Sequence, residues 1–392
     1  MNNNQLHRKQ YSLNGIAGGS VIAPANDTYA PVNNIVAVPP VCQGKADTFL
    51  NSLNHFRAIA IIIVVAGHCY GIAGLRVSTT VEKIAVNLLA GSTDLFVFIS
   101  GFLFHHVFYK KYQYQSFVLG KIKNVFIPYL LLGALPVLLF VYQKTDSRIF
   151  FLPDGSGIFR EYVVPALKYY GTGAFLTAYW YVPFIMMMFM LSPLHYLFIK
   201  SRPALQFGLT VMFCIAAILI HRPVENIDIL QSVIYFTPVY LIGILCSEYR
   251  NIIYGALNGM EPILLALIVS LAALQENLGY VGNYHKLAFA YGGLDILFMQ
   301  KILMCLFLLI SLKRFESVNN KIIHAVATTS FAVYFLHPFI LWGISRAFGK
   351  YLAIDSWMMF SLYVAAIVML CVGIAKATKK AIPKYSRFLL GY

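Results

Sequence analysis

Charge is what this sequence has least of. Only 11% of its 392 residues are Asp, Glu, Lys or Arg, where soluble domains carry about 25%. Acidic groups are scarcest, 15 Asp and Glu against 30 Lys and Arg. With 59% hydrophobic residues and a mean hydropathy of +0.70, a soluble enzyme or soluble binding module is excluded. A polytopic membrane protein is implied. The net charge of +15 does not indicate nucleic acid as a partner. The basic residues lie mostly between apolar runs, where membrane topology accounts for them.

Cysteine is also sparse. Cys42, Cys69, Cys214, Cys246, Cys305 and Cys371 are scattered, and no pair has metal-ligand spacing. They read as small apolar residues, neither disulfides nor a zinc site. His7-Arg8-Lys9 is not followed by an adequate apolar core, so no cleavable signal peptide is expected. No internal repeat is visible, and no soluble catalytic domain is expected at either end. Residues 1–47, rich in Asn, Gly, Pro and Ala, read as a flexible cytoplasmic tail.

What is present is a series of ten apolar runs. They cover roughly 56–74, 86–108, 125–142, 179–199, 205–220, 232–245, 262–274, 294–312, 329–344 and 356–374. The fold expected is all-α, a transmembrane domain over 48–378 with about ten helices, and a short basic cytoplasmic tail over 379–392. The runs at 232–245 and 262–274 are short, so they are tilted, extended or shielded by neighbours. Lys and Arg concentrate on one set of connections, among them Lys110, Lys111, Lys121 and Lys123. That bias places both termini in the cytoplasm. The longest outer connection, 143–178, is of a length that is usually functional or disordered.

The first run carries Arg57 at its start and His68 within it. Eleven residues at 100° each come to about 1,100°, roughly 20° past three turns, so both side chains share one helix face about 16 Å apart. An ionisable group near the bilayer midplane is costly and points to function. Hydrogen bonding to a neighbouring helix is the alternative for His68. The second run, entering from the other side, places Asp94 at similar depth, and neighbouring runs usually pack side by side. An Asp94–His68 pair is therefore geometrically available, and a carboxylate holding an imidazole suits a general base. A simple helix-start role for Asp94 stays open. Ser100-Gly101 permits close helix approach. His337 lies in a late run beside Pro338, with Tyr334 one turn below. It serves either the site or the kink that proline creates. Tyr179-Trp180-Tyr181 fits an interfacial aromatic belt or a platform for a sugar ring. Lys110, Lys111, Lys121 and Lys123 form a basic rim with Arg57 on the inner side, where contact with lipid headgroups also explains lysines.

Taken in order, these residues resemble the membrane-bound acyltransferase-3 family. The matching features are Arg57 and His68 with ten residues between them, and the run from Asp94 to Phe102 ending Ser-Gly-Phe, with Val97 where a second Phe is usual. Ser330, Tyr334, His337 and Pro338 match a late motif, and the aromatic Tyr179–Tyr181 stretch looks like a fourth. The resemblance covers about residues 48–378.

It implies transfer of an acyl group, usually acetyl, from cytoplasmic acyl-coenzyme A to a hydroxyl of a cell-surface or lipid-linked carbohydrate, in a bacterial inner membrane. Arg57, with Lys121 and Lys123, would hold the coenzyme phosphates. His68 would act as base or nucleophile with Asp94 supporting it, and Ser100, Gly101, Trp180, Tyr334 and His337 would serve the acceptor or the scaffold. No metal is implied. A partner protein could complete transfer in polysaccharide assembly. A polysaccharide exporter or other polytopic transporter is the competing class, since ten spans with charges at mid-depth also suit one.

Overall fold

The computed structural model describes residues 49–392 apart from 145, 291 and 349–353. The expected flexible tail at 1–47, with Cys42, lies outside the described residues. The rest is helical, with one two-residue parallel bridge.

Seventeen α-helices occur among the described residues. The first five are α1 (Phe49–Ala73), α2 (Thr80–Leu89), α3 (Thr93–Leu103), α4 (Tyr114–Lys121) and α5 (Ile127–Gln143). A long connection carries α6 (Val164–Thr172), and α7 (Tyr181–Met190), α8 (Ser192–Lys200) and α9 (Pro203–Ile220) follow. Then come α10 (Ile229–Glu248), α11 (Arg250–Ala256), α12 (Glu261–Asn277) and α13 (Ile296–Lys313). The chain ends with α14 (Lys321–Thr328), α15 (Ser330–Phe348), α16 (Trp357–Ala381) and α17 (Ser386–Leu390). Strand β1 (Arg222–Pro223) pairs with β2 (His285–Lys286).

Eight helical runs are long and apolar enough to cross a membrane, or ten if each of two bent pairs is one span. The protein is thus an all-α polytopic membrane protein. The fourth expected run is one bent pair, α7 and α8 meeting at 51°. Pro193 sits in the first turn of α8, where its missing N–H and ring end the preceding helix. The other pair is α11 and α12, bent by 85°. There Gly259 takes a positive φ of 82° just ahead of Pro262 in α12.

Packing sorts the helices by enclosure. Two-thirds of the apolar stretch of α10 is buried, but only 17% of that of α9. So α9 keeps Leu205, Phe207, Val211 and Ile215 outward, as a lipid-facing helix should. Helix α3 packs extensively against α10, and two glycines let the backbones approach. A Cβ on Gly101 would fall 2.0 Å from the Tyr240 carbonyl oxygen, and one on Gly243 would fall 2.2 Å from that of Phe98. Among hydrocarbon tails no hydrophobic force holds helices together, so close backbone approach through small residues supplies much of the association. Gly101 therefore has a packing role.

Two π-helical turns, Phe104–Phe108 after α3 and Ile122–Phe126 after α4, interrupt otherwise regular helices. Such turns often mark functional positions, and both border one cavity.

Candidate active site

Helix α1 runs unbroken through Arg57 and His68, and each residue opens into a different cavity.

Arg57 lines a cavity of about 660 Å³. Its Nη2 donates to Ser330 Oγ at 2.9 Å, so the first residue of α15 aims the guanidinium. Lys111, Lys121, Lys379 and Arg387 also line this cavity, and no Asp or Glu does among the described residues. Lys121 lies over the rings of Phe108, Phe117 and Phe189 at 4.6, 5.1 and 4.6 Å. That contact favours a cation without neutralising it. Like charges gathered with no carboxylate among them are costly unless an anion joins them. Lys123 is exposed and does not line the cavity. Arg387, Gly391 and Tyr392 do, because α17 folds back beneath α5 and α15. Ser100, Tyr181, Tyr240 and Tyr334 face the same space.

His68 lines a separate cavity of about 230 Å³ with Tyr70, Ser92, Thr93, Arg222 and Asn283. Its Nδ1 hydrogen-bonds Thr177 Oγ1 at 2.7 Å, which leaves Nε2 as the nitrogen for chemistry. Thr177 arrives through a tight descent of the long connection. Gly173 takes a φ of 71°, and a Cβ there would fall 2.4 Å from the Tyr179 carbonyl oxygen. Ala178 takes a φ of 67°, unusual for a residue with a Cβ. The segment is then pinned to α15. The Tyr334 hydroxyl donates to Ala178 O at 2.5 Å, and the Tyr179 hydroxyl to Phe335 O at 3.0 Å.

A row of rings joins the two cavities. Tyr334 lies 6.2 Å from His337, and His337 lies 5.4 Å from His68. His337 Nδ1 donates to Val333 O in its own helix at 2.9 Å, and the ring packs on His68. Its Nε2 is buried without a hydrogen-bond partner.

Asp94 makes no hydrogen bond to His68 among the described residues. It is 1% exposed, in the first turn of α3, and interacts with Arg222, Lys301 and Asp295. Its Oδ1 has no hydrogen-bond partner. Lys301 is fully buried. Its Nζ donates to Asn87 O and Leu88 O at 3.3 and 2.8 Å, capping the carboxyl end of α2. Asp295 caps α13 by accepting from Phe298 N at 2.9 Å. Trp180 is buried rather than offered as a surface platform; it packs on Phe236 and lies under Arg222.

Sequence reasoning missed Arg222, Thr177 and Arg387, which it left in connections or a tail. Arg222 had one available signal, an arginine next to proline after a long apolar run. Burial lowers its guanidinium from the ordinary value, against the pull of Tyr235, Asp94 and Asp295. It remains a cation because that ordinary value is so high. The same burial, with Arg222 adding to it, pushes the His285 imidazole down to about 4.

A family model described as an acyltransferase domain matches residues 50–376. No curated protein and no solved structure matches the chain.

Proposed function

The chain belongs to the acyltransferase-3 family and is a membrane acyltransferase; from that membership and the paired cavities we propose how it works. The donor is acyl-coenzyme A, in the first instance acetyl-coenzyme A, held from the cytoplasmic side in the Arg57 cavity. The acceptor is a hydroxyl of a cell-surface or lipid-linked carbohydrate, entering the His68 cavity from the outer face of a bacterial inner membrane. Both termini are cytoplasmic.

One observation carries this reading: five cations and, among the described residues, no acidic one line the Arg57 cavity. Coenzyme A is a polyanion, and a guanidinium fork matches phosphate oxygens in a way a point charge does not. Ser330 holds that fork in place. The thioester then lies toward Tyr334 and the ring row leading to His68. There His68 Nε2 takes the proton from the acceptor hydroxyl, whose oxygen attacks the thioester carbonyl carbon. The tetrahedral centre collapses to the ester, and the departing thiolate takes up the proton. Thr177 fixes the imidazole during both proton transfers. Asp94 supports this site through Arg222 rather than through His68.

The test is transfer of label. Membrane vesicles from producing cells carry their own acceptors and are given [¹⁴C]acetyl-coenzyme A. Label should enter the carbohydrate fraction with the wild-type protein and not with His68→Ala. Unlabelled carbohydrate alongside intact donor binding would turn the reading toward a different acyl chain or acceptor. Carbohydrate moved across the membrane without label would identify a transporter.

A further inference from the structure

We propose that Arg222 is a catalytic residue of the His68 cavity, its guanidinium stabilising the oxyanion that forms when the acceptor hydroxyl attacks the thioester. This rests on the acyl-transfer reading above and adds a group to it. In that step the carbonyl π electrons move onto oxygen as the new carbon–oxygen bond forms. They return when the carbon–sulfur bond breaks and the thiolate leaves. The charge on oxygen exists only between those events, so a fixed cation facing it stabilises the transition state more than the ground state.

Arg222 has the position and the spare donors. It is 4% exposed and lines the same cavity as His68, in which no carboxylate takes part among the described residues. Its Nε donates to Asn226 Oδ1 at 2.7 Å. Among the described residues the terminal nitrogens make only long hydrogen bonds, to Asn283 Oδ1 at 3.3 Å and Thr93 Oγ1 at 3.4 Å. Those partners are neutral and themselves line the cavity. A guanidinium has five N–H donors, so some remain for a ligand. Its plane is set by Trp180 and Phe236, at 4.8 and 5.6 Å. Asp94 and Asp295 interact with it without closing an ion pair among the described residues, which keeps the cation in place without occupying it.

The backbone around it is strained. His221 has φ 62° and ψ 175°, a region that belongs almost wholly to glycine. Glu225 and Asn226 have φ of 52° and 57°. Three non-glycine residues with positive φ bracket one arginine. The surroundings hold that geometry: β1 pairs with β2, and the Gln231 amide donates to Ile220 O, His221 O and Lys286 O. Glu225 is exposed and Asn226 half-buried, so the strain that bears on function is that of the fully buried His221, next to the arginine that lines the cavity of His68.

The same vesicle assay tests the proposal. Arg222→Gln should lower the initial rate of label transfer by about 10²–10³-fold while leaving acetyl-coenzyme A binding and the melting temperature close to wild type. Guanidinium ion added to Arg222→Gln should recover part of the rate, and Arg222→Lys should fall between the two. Should Arg222→Gln not fold, Arg222→Lys is read in its place. A rate for the folded variant close to wild type would overturn the proposal. So would a loss of rate that tracks loss of donor binding and melting temperature and that guanidinium does not recover, since Arg222 would then only balance Asp94 and Asp295. If the wild type transfers no label, acetyl transfer to carbohydrate as read above fails, and this proposal, which rests on it, fails with it. If the wild type transfers label and only the Arg222 result disagrees, acyl transfer stands and Arg222 is removed from it.

Discussion

His68 and His337 lie with ring centroids 5.4 Å apart and planes tilted by 32°, although one comes from the first helix and the other from the fifteenth. Through this contact the residue facing one cavity is tied to the helix whose Tyr334 faces the other. The two imidazoles are not equivalent. His68 Nδ1 is held by a hydroxyl from outside its helix, whereas His337 Nδ1 is spent on its own helix.

His68→Ala should reduce kcat by about 10²–10⁴-fold, the usual contribution of a positioned general base, with donor affinity kept because Arg57 lies about 16 Å along α1. His337→Phe preserves the ring contact but not the Val333 bond, so a smaller loss is expected. Steady-state rates with thermal-shift controls compare them. Normal turnover in folded His68→Gln would move the chemistry to His337.

Donor binding separates Lys121 from Lys123. Arg57→Ala and Lys121→Ala should each raise the apparent KM for acetyl-coenzyme A with little change for acceptor, and Ser330→Ala should do so more weakly by loosening the guanidinium. Lys123→Ala should bind donor as the wild type does. Equilibrium binding of acetyl-coenzyme A to purified protein reads all four. Equal losses at Lys121 and Lys123 would mean a diffuse surface effect rather than a site.

Gly101→Ala should destabilise the fold. Its added methyl would sit against the Tyr240 carbonyl with no flexible side chain to yield, and overpacking costs about 1–3 kcal/mol or more. The measurement is the melting temperature in detergent, where Gly120→Ala, with nothing within 4 Å of the new methyl, is the control. Equal melting temperatures would contradict the close α3–α10 contact.

Acid should loosen the β1–β2 pairing. His285 falls from the ordinary 6.5 to about 4 through burial and then Arg222, and its Nδ1 bonds Pro223 O at 2.6 Å. The unfolded state therefore binds more protons in this interval. Stability is full above about pH 6.5 and is lost as pH falls toward 4. Hydrogen exchange at 222–226 and 284–286 should quicken over that window in the wild type and flatten in His285→Asn. An unchanged slope in the variant would assign the effect elsewhere.

The orientation is open to labelling. A cysteine at Ser156, in the connection between α5 and α6, should react with an impermeant maleimide from outside intact cells. Reaction only after permeabilisation would reverse the proposed topology.

The sequence by itself determined the apolar runs, and through them the all-α membrane fold, because the bilayer demands about twenty apolar residues per span. It determined that Arg57 and His68 share a helix face, because helical periodicity is local. It also showed Ser330, Tyr334, His337 and Pro338 as one motif, again within a single helix. Tertiary structure decided what each of these meets. Ser330 turned out to hold Arg57, and Thr177 rather than Asp94 took the His68 nitrogen. Arg222 left its connection for the cavity, and α17 brought Arg387 to the donor side. No periodicity carries such information. These residues lie in connections or on helices far apart in sequence, and their placement depends on the crossing of α3 and α10 through two glycines, on a two-residue bridge, and on a strained turn. The glycine crossing follows from close backbone approach and the bridge from backbone groups pairing between connections far apart in sequence, and both are settled only when the helices pack.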